Sequence, residues 1–387
     1  MASAKRPCFR PCSRALVERH LHIVSFDVPS PPSYGGVIDV YYKVKALADL
    51  GVKVHLHCFQ YGRPKAKDLE AMCASVHYYP RRTGKLQLLN SLPYVVVSRR
   101  SEQMMDRLLK DDHPILFEGL HCCHALSDPQ LHGRTRLVRA HNVEHDYYGA
   151  LAKAATSTFR RTYFINEAHK LQRFEPVLAE ADHVLAISPK DEAYFGSHFR
   201  HVVHIPAFHA MDQVTVPSGL GDFAFYHGAL GVPENDQAAL FLVRKVFKGL
   251  PVKLVIAGSD ASSELRREVA RNANVQLREN IGTEEIHRLV RDAQVNVLPT
   301  FQATGIKLKL LLCLFAGRHV VCNTPMVEGT GLAELCHVHD DPEGMRTSIV
   351  ACMGKPANGQ ALERRAEVLE QRFSNKRNAE RILELLG

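Results

Sequence analysis

The stretch HLHIVSFDVPSPPSYGGVIDVYYKVKALADLGVKVHLHCF, residues 20–59, decides the fold class. It begins with a run rich in β-forming side chains that ends at Asp27, and a loop of Pro and Gly residues follows up to Gly36. The amphipathic segment 37–50 predicts a helix that Gly51 stops, and residues 52–59 predict a second strand. A strand, a helix and a second strand in this order indicate a βαβ unit and therefore a parallel sheet.

The same alternation continues along the chain and restarts after a loop-rich segment. Further strands are expected at 114–118, 135–140 and 183–188, and then at 223–227, 252–257, 275–277, 295–298 and 319–323. Segment 206–222 contains two prolines and two glycines without sustained periodicity, which is typical of a linker. The predicted parts are a basic tail (1–19), an N-terminal Rossmann-like domain (20–205), the linker (206–222), a C-terminal Rossmann-like domain (223–360) and a charged helical end (361–387).

Two such α/β domains in tandem can face each other with the carboxyl ends of both sheets across a cleft. Ligands of open parallel sheets bind at those ends. The pattern therefore predicts a cleft enzyme, although a fold does not by itself identify the reaction.

Composition excludes several classes of protein. Of the 387 residues, 45% are hydrophobic and 23% are charged, a balance typical of a globular chain. No run approaches the roughly 18 apolar residues of a membrane-spanning helix. The net charge is +8, and half of it lies in residues 1–19. The rest of the chain is only mildly basic and has no nucleic-acid motif, so we expect no nucleic-acid partner.

The cysteines predict a reducing compartment. The ten Cys residues form no C-x-x-C pair, and the N-terminus has no apolar stretch of a signal peptide, so we expect a cytoplasmic protein with reduced thiols. The segment His121–His124 holds two His and two Cys. Four consecutive side chains cannot easily converge on one tetrahedral ion, so we expect no zinc site there.

Candidate ligand-binding residues of the first half follow predicted strands. Tyr34, Gly35 and Gly36 open the first helix, where paired glycines let backbone N–H groups approach a ligand. A tight turn explains the same glycines. Glu118 ends a strand, with structural capping as the alternative. His141 and Glu144 lie on a polar loop after another strand. The imidazole can donate to a developing charge or a sugar hydroxyl, and the carboxylate can orient it or act as a base. Capping and turn formation are again the alternative.

The second half repeats this placement. His227, Gly228 and Ala229 form a glycine loop after a strand, and Gly258 closes the neighbouring strand; both suit phosphates or a sugar. Thr304 and Gly305 are expected to begin a helix with Lys307 and Lys309 in its first turns. Cations there oppose the helix dipole unless an anion such as a diphosphate is bound, and a solvated pair is the alternative. Glu328 and Thr330 lie on a loop that can close over the ligand.

Together these segments resemble a known family. Ser33–Gly36, Arg139–Glu144, Phe225–Leu230 and Thr304–Lys309, running on to Arg318, are similar to motifs of the GT-B glycosyltransferases of glycosyltransferase family four, in particular a bacterial branch linked to polysaccharide and glycoconjugate assembly. The resemblance spans residues 20–387.

The resemblance implies a function. A sugar would pass from a nucleotide-sugar donor to an acceptor hydroxyl, usually with retained anomeric configuration. The N-terminal domain would bind a carbohydrate or lipid-linked glycan acceptor, and the C-terminal domain the nucleotide sugar. The last helix would cross back to the first domain. Members typically need no metal or other cofactor. Such enzymes are cytoplasmic, and a peripheral contact with the inner face of the membrane is compatible with the basic charge.

This chain departs from the family pattern at the donor site. Two glutamates common in the family correspond to Thr304 and Leu312, and we expect Glu328 to replace one of them. The usual basic residue beyond the glycine loop is replaced within Pro233–Asp236, which increases the demand on Lys307 and Lys309. Two alternatives stay open: a nucleotide-sugar-binding protein without catalysis, and a nucleotide-sugar epimerase on the same fold.

Overall fold

A computed structural model describes residues 18–155, 157–301 and 307–387. Seven parallel strands form the first sheet in the order β3-β2-β1-β4-β5-β6-β7. They are β1 (His20–Ser25), β2 (Lys53–Gln60), β3 (Ser75–Pro80), β4 (Ile115–Glu118), β5 (Arg136–Ala140), β6 (His183–Ala186) and β7 (Val202–His204).

The helices that accompany this sheet are α1 (Gly35–Asp49), α2 (Lys67–Met72), α3 (Tyr94–Val97), α4 (Glu102–Leu108), α5 (Glu144–Ala154), α6 (Thr158–Phe174) and α7 (Pro189–Gly196). Short 3₁₀ turns occupy Lys85–Leu89, Leu120–Ala125, Pro129–Leu131 and Glu175–Glu180.

The second sheet has six parallel strands in the order β10-β9-β8-β11-β12-β13. They are β8 (Phe223–His227), β9 (Lys253–Gly258), β10 (Val275–Glu279), β11 (Val295–Leu298), β12 (His319–Cys322) and β13 (His337–Val338). Its helices are α8 (Pro233–Phe241), which continues as a π-helical turn at Leu242–Val246, then α9 (Ser263–Ala270), α10 (Thr283–Asp292), α11 (Leu308–Ala316), α12 (Thr324–Val327) and α13 (Pro342–Met353), with a 3₁₀ turn at Ala333–Leu335.

Both sheets are buried on two faces, which explains their nearly continuous apolar strands. Leu21 and Ile23 of β1 pack on the side of α1, whereas Val24 packs on the opposite side, in the cluster that contains Phe117 and Val138. Two further apolar clusters cover the second sheet in the same manner. The predicted fold class of two parallel-sheet α/β domains is confirmed.

The C-terminal end of the chain connects the domains. It forms two helices, α14 (Gln360–Phe373) and α15 (Asn375–Glu384), where the sequence suggests one helical segment. Ser374 separates them because its hydroxyl accepts the backbone N–H of Arg377 at 3.4 Å, as an N-cap does. Ile382 and Leu383 are buried in the same cluster as Val40 and Val44 of α1, so the last helix does cross back to the first domain.

Several element predictions need correction. Strands β3, β7 and β13 are absent from the prediction; all three are sheet edges and only partly buried, so they lack the apolar run of a central strand. Helix α11 begins at Leu308, with Lys307 before it and only Lys309 in its first turn. Thr304 and Gly305 lie outside the described residues. Within the described ranges, no helix is long and apolar enough to cross a bilayer.

Candidate functional site

A cavity lies between the two domains, where the carboxyl ends of both sheets face each other. In the first domain, the segments after β5, β6 and β7 form its wall; in the second, the start of α11 and the loop after α12 do so. The lining residues are Asn142, Val143, Asp146, Tyr147, Ile187–Asp191, Tyr194, His204 and Ala207 on one side, and Lys307, Leu311, Glu328–Thr330, Leu332 and Phe373 on the other.

Three predicted donor residues, Lys307, Glu328 and Thr330, line this cavity. Glu328 Oε1 is 4.0 Å from Nζ of Lys190, which belongs to the first domain, so an ion pair spans the cleft. Burial lowers the pKa of Lys307, and the nearby carboxylate of Glu328 acts in the opposite direction. An anion in this cavity would therefore have an ammonium group on each side.

The glycine loop of the second domain is held against the end of β9. Gly228 N–H donates to the carbonyl of Ala257 at 3.0 Å. A Cβ added at Gly258 would overlap the carbonyl oxygen of Gly228, so only glycine permits this close approach of two backbones. His227 is buried beside Lys309, and burial chiefly lowers its pKa to about 3, so the imidazole is neutral at pH 7.

Lys309 contacts the glycine loop through Asn235 and is not among the residues that line the cavity. Its Nζ donates to Asn235 Oδ1 at 2.9 Å, and Asn235 Nδ2 donates to the carbonyl of Ala229 at 3.0 Å. The ammonium also lies 5.6 Å from the ring centroid of Tyr226. Burial lowers the pKa of Lys309 to about 8, and the Glu234 carboxylate partly offsets that effect. The lysines therefore take different positions, as their two-residue spacing suggests.

A buried ionic cluster lies beneath the first half of the cleft. Lys43 Nζ is 2.9 Å from Asp39 Oδ2 on the same helix and 2.8 Å from Glu118 Oε1 at the end of β4. All three side chains are fully buried. Glu118, expected to bind acceptor, has no surface of its own in the cleft.

Arg139 and His141 complete this cluster. Arg139 Nη2 is 2.8 Å from Asp39 Oδ1. Arg139 and Lys43 together hold the pKa of Asp39 well below its usual range, although burial acts in the opposite direction. His141 Nε2 bonds Glu118 Oε2 at 2.9 Å. Asp39, Glu118 and His141 are close enough to be considered as metal ligands. Lys43 and Arg139 already balance the two carboxylates, so the donor set is poorly suited to an additional cation.

His141 and Glu144, the predicted catalytic pair, have different partners. His141 is only 5% exposed and lies behind the cavity wall that Asn142 and Val143 form. The carboxylate that orients it is Glu118, which corrects the expectation that Glu144 does so. Glu144 is buried at the start of α5 with Oε2 3.8 Å from His121 Nε2, and burial raises its pKa to about 8. It is therefore largely protonated at neutral pH, and an ionised base there would need a change in its surroundings.

The glycine pair at the start of α1 has two different environments. A Cβ at Gly36 would meet the ring of Phe26 at 2.7 Å, so this glycine is required for packing. At Gly35 an added Cβ would meet nothing within 4 Å, which leaves room for a ligand. Tyr34, the preceding residue, donates its hydroxyl to Asp27 Oδ2 at 3.1 Å.

Sequence reasoning missed cleft residues on the loop after β6. Ser188, Lys190 and Asp191 all line the cavity, and the Ser188 hydroxyl accepts the N–H of Asp191 at 3.1 Å to cap α7. The signal was available, since Ser188 ends the predicted strand 183–188 and the other two residues follow it at the carboxyl edge. Glu234 belongs to the segment Pro233–Asp236, where the chain departs from the family pattern, and its carboxylate accepts a hydrogen bond from the Thr300 hydroxyl.

Comparison with known proteins supports the architecture. No protein-family model matches this chain. A curated relative from Klebsiella pneumoniae, described as an uncharacterized 44.6 kDa protein in the cps region, is 28% identical over 331 residues, covering 80% of this chain and 84% of the relative.

Solved structures match nearly the whole chain at low identity. TarM has a TM-score of 0.71 at 10% identity and covers 96% of this chain and 99% of its own. Sucrose-phosphate synthase from Thermosynechococcus elongatus has a TM-score of 0.68 at 15% identity and covers 95% of this chain and 98% of its own. HepE from Anabaena, solved with UDP and glucose, gives 0.65 at 15% identity, covering 95% and 99%. These neighbours are GT-B glycosyltransferases, and the chain has the GT-B fold.

Proposed function

We propose that this protein is a glycosyltransferase that moves a sugar from a nucleotide-sugar donor to an acceptor hydroxyl, in the assembly of a polysaccharide or glycoconjugate. The observation that carries the proposal is the interdomain cavity, where Lys190 and Lys307 flank the space between the carboxyl ends of two parallel sheets. The cps-region relative supports the pathway class, and the UDP and glucose in the HepE complex support the donor class.

The donor is assigned to the second domain. The backbone of the loop at His227–Ala229 lies close to the backbone of Gly258, and Lys309 adds positive charge behind them. Lys307 would face the diphosphate as a point charge. Lys307, with Lys190 across the cavity, would balance the charge of the diphosphate, so we propose transfer without metal.

We assign the acceptor to the first domain, where Asn142 lines the cavity and Gly35 leaves open space at the start of α1. In the transfer step, the acceptor oxygen bonds to the anomeric carbon while the bond from that carbon to the diphosphate oxygen breaks. The acceptor proton passes to the departing diphosphate, which leaves on the same face, so configuration is retained. Glu118 holds the ring of His141 behind the cavity wall, and His141 would position the loop that Asn142 begins.

A nucleotide-sugar-binding protein without catalysis is the second candidate. Thr304 and Leu312 in place of the common glutamates favour it. An epimerase on the same fold is the third, and an assay of donor alone would reveal its product.

The deciding experiment has two stages. Thermal stability is first measured with a panel of nucleoside diphosphates and nucleotide sugars, with and without chelator; a ligand at 100 times its Kd should add about 2.7 kcal/mol. Sugar transfer or slow donor hydrolysis is then assayed with the stabilising donor. Binding followed by turnover supports the transferase, and binding without turnover supports the second candidate. No stabilisation by any nucleotide would overturn the proposal.

A further inference from the structure

Three histidine side chains meet at the amino-terminal edge of the first sheet, at the end opposite the cleft. His20 is the first residue of β1, His55 lies near the start of β2, and His113 lies just before β4. Strand β1 is bonded to both β2 and β4. The parallel register that pairs His22 with Ile115 also sets His20 beside His113.

The ring nitrogens of this trio are spaced as metal ligands are. One nitrogen from each ring lies within 4.8 Å of the other two. Nδ1 of His20 is 3.0 Å from Nε2 of His55. This contact is a hydrogen bond between the two rings, and its length is close to the roughly 3.3 Å between two ligands on a tetrahedral ion with bonds of about 2.0–2.1 Å. All three residues are half-buried, so water can reach a fourth position.

An oxygen atom lies near the second nitrogen of each ring, within hydrogen-bond distance for His55 and within 4.0 Å for the other two. His55 Nδ1 is 2.9 Å from Ser75 Oγ. His20 Nε2 is 3.8 Å from Glu18 Oε2, and His113 Nδ1 is 4.0 Å from Asp112 Oδ1. Metal-binding histidines commonly give their second N–H to an oxygen, which selects the tautomer and directs the other nitrogen to the ion.

We propose that His20, His55 and His113 bind one divalent transition-metal ion of the class that imidazole prefers, represented by Zn²⁺. The ion would tie three adjacent strands together at the edge away from the cleft. Its role would be structural and independent of sugar transfer.

The test is a calorimetric titration of the full chain, stripped with chelator, with Zn²⁺. We expect one equivalent to bind. Loss of an outer partner of a metal ligand typically costs about 10–100-fold in affinity, so His113→Ala and His20→Ala, each removing a ligand, should each weaken binding at least tenfold. Zn²⁺ should also raise the Tm of the parent protein but not that of either variant.

His132→Ala is the matched control. His132 is exposed and belongs to none of the groups of potential metal ligands within the described part of the chain. Its substitution should leave Zn²⁺ affinity unchanged. Unchanged affinity in either His20→Ala or His113→Ala would overturn the proposal, as would loss of binding in His132→Ala. Melting curves in chelator confirm that each variant is folded.

Discussion

Nε2 of His141 lies 2.9 Å from Oε2 of Glu118, and Lys43 contacts the same carboxylate from α1. His141, on the loop after β5, is thus held by the carboxylate at the end of β4, and a lysine ammonium of the first helix holds that carboxylate in turn. Charges buried at this depth stabilise one another only as a complete set, because removing one leaves its partner without compensation.

Lys43→Met should therefore destabilise the protein by about 3–5 kcal/mol, since it leaves Asp39 and Glu118 buried with one cation fewer. The free energy of unfolding in urea measures the effect. Lys45→Met, two residues along the same helix, removes an exposed ion pair with Asp49 and should cost no more than about 1 kcal/mol. Equal losses in the two variants would contradict this account of the cluster.

Glu144 should make the stability of the protein fall as pH rises. Its pKa is raised from 4.5 to about 8 in the folded state, so the unfolded chain releases this proton first. Between these two pKa values, the free energy of unfolding therefore falls by up to about 1.4 kcal/mol per pH unit. Glu144→Gln removes this contribution, so the stability difference between variant and parent should grow from pH 5 to pH 8 in favour of the variant. Glu180→Gln, at an exposed glutamate, is the matched control, and a constant difference for Glu144→Gln would refute the protonated carboxyl.

Lys307→Ala should weaken nucleotide-diphosphate binding by about 1–3 kcal/mol, the contribution of a charged hydrogen bond. Titration calorimetry with the nucleotide chosen from the thermal panel measures it. Lys245→Ala removes an exposed lysine of the same domain and should bind as the parent does. If both variants keep full affinity, Lys307 does not contact the donor.

Gly258→Ala should destabilise the second domain by roughly 1–3 kcal/mol, because the new methyl group meets the Gly228 carbonyl and the loops must separate. Nucleotide affinity should fall with it, as the glycine loop moves. The control is Gly282→Ala, where an added Cβ meets nothing within 4 Å and the change should stay below about 1 kcal/mol. Equal behaviour of the two variants would show that residue 258 tolerates a side chain.

Nucleotide binding should weaken as pH rises through about 8. Lys309 has its pKa lowered to that value in the free protein, and a bound diphosphate favours the protonated ammonium. Binding near pH 8 should therefore take up protons, which calorimetry in buffers of different ionisation enthalpy detects. Lys309→Met should abolish the uptake. Proton uptake that persists in this variant would assign it to another group.

The central strands and the cleft-edge motifs could be predicted from sequence. Strands such as β1 and β8 are buried on both faces, so their apolar runs are visible without knowledge of their neighbours. Gly228 and Lys307 follow strands and Gly258 ends one, and parallel topology brings strand ends to one edge. Local pattern and chain order therefore determined the fold class and most of the candidate donor residues.

Tertiary structure alone decided which of these side chains face the cavity. Glu118 ends a strand and His141 follows one, yet Lys43 and Arg139 enclose them in a buried cluster. No local pattern signals an ion pair between residues 75 positions apart. The His20, His55 and His113 trio depends on the register of three strands in the same way. Periodicity indicates whether a residue is buried, whereas long-range packing determines which partner it has. That packing therefore decides whether a charged side chain can bind a ligand or stabilises the fold.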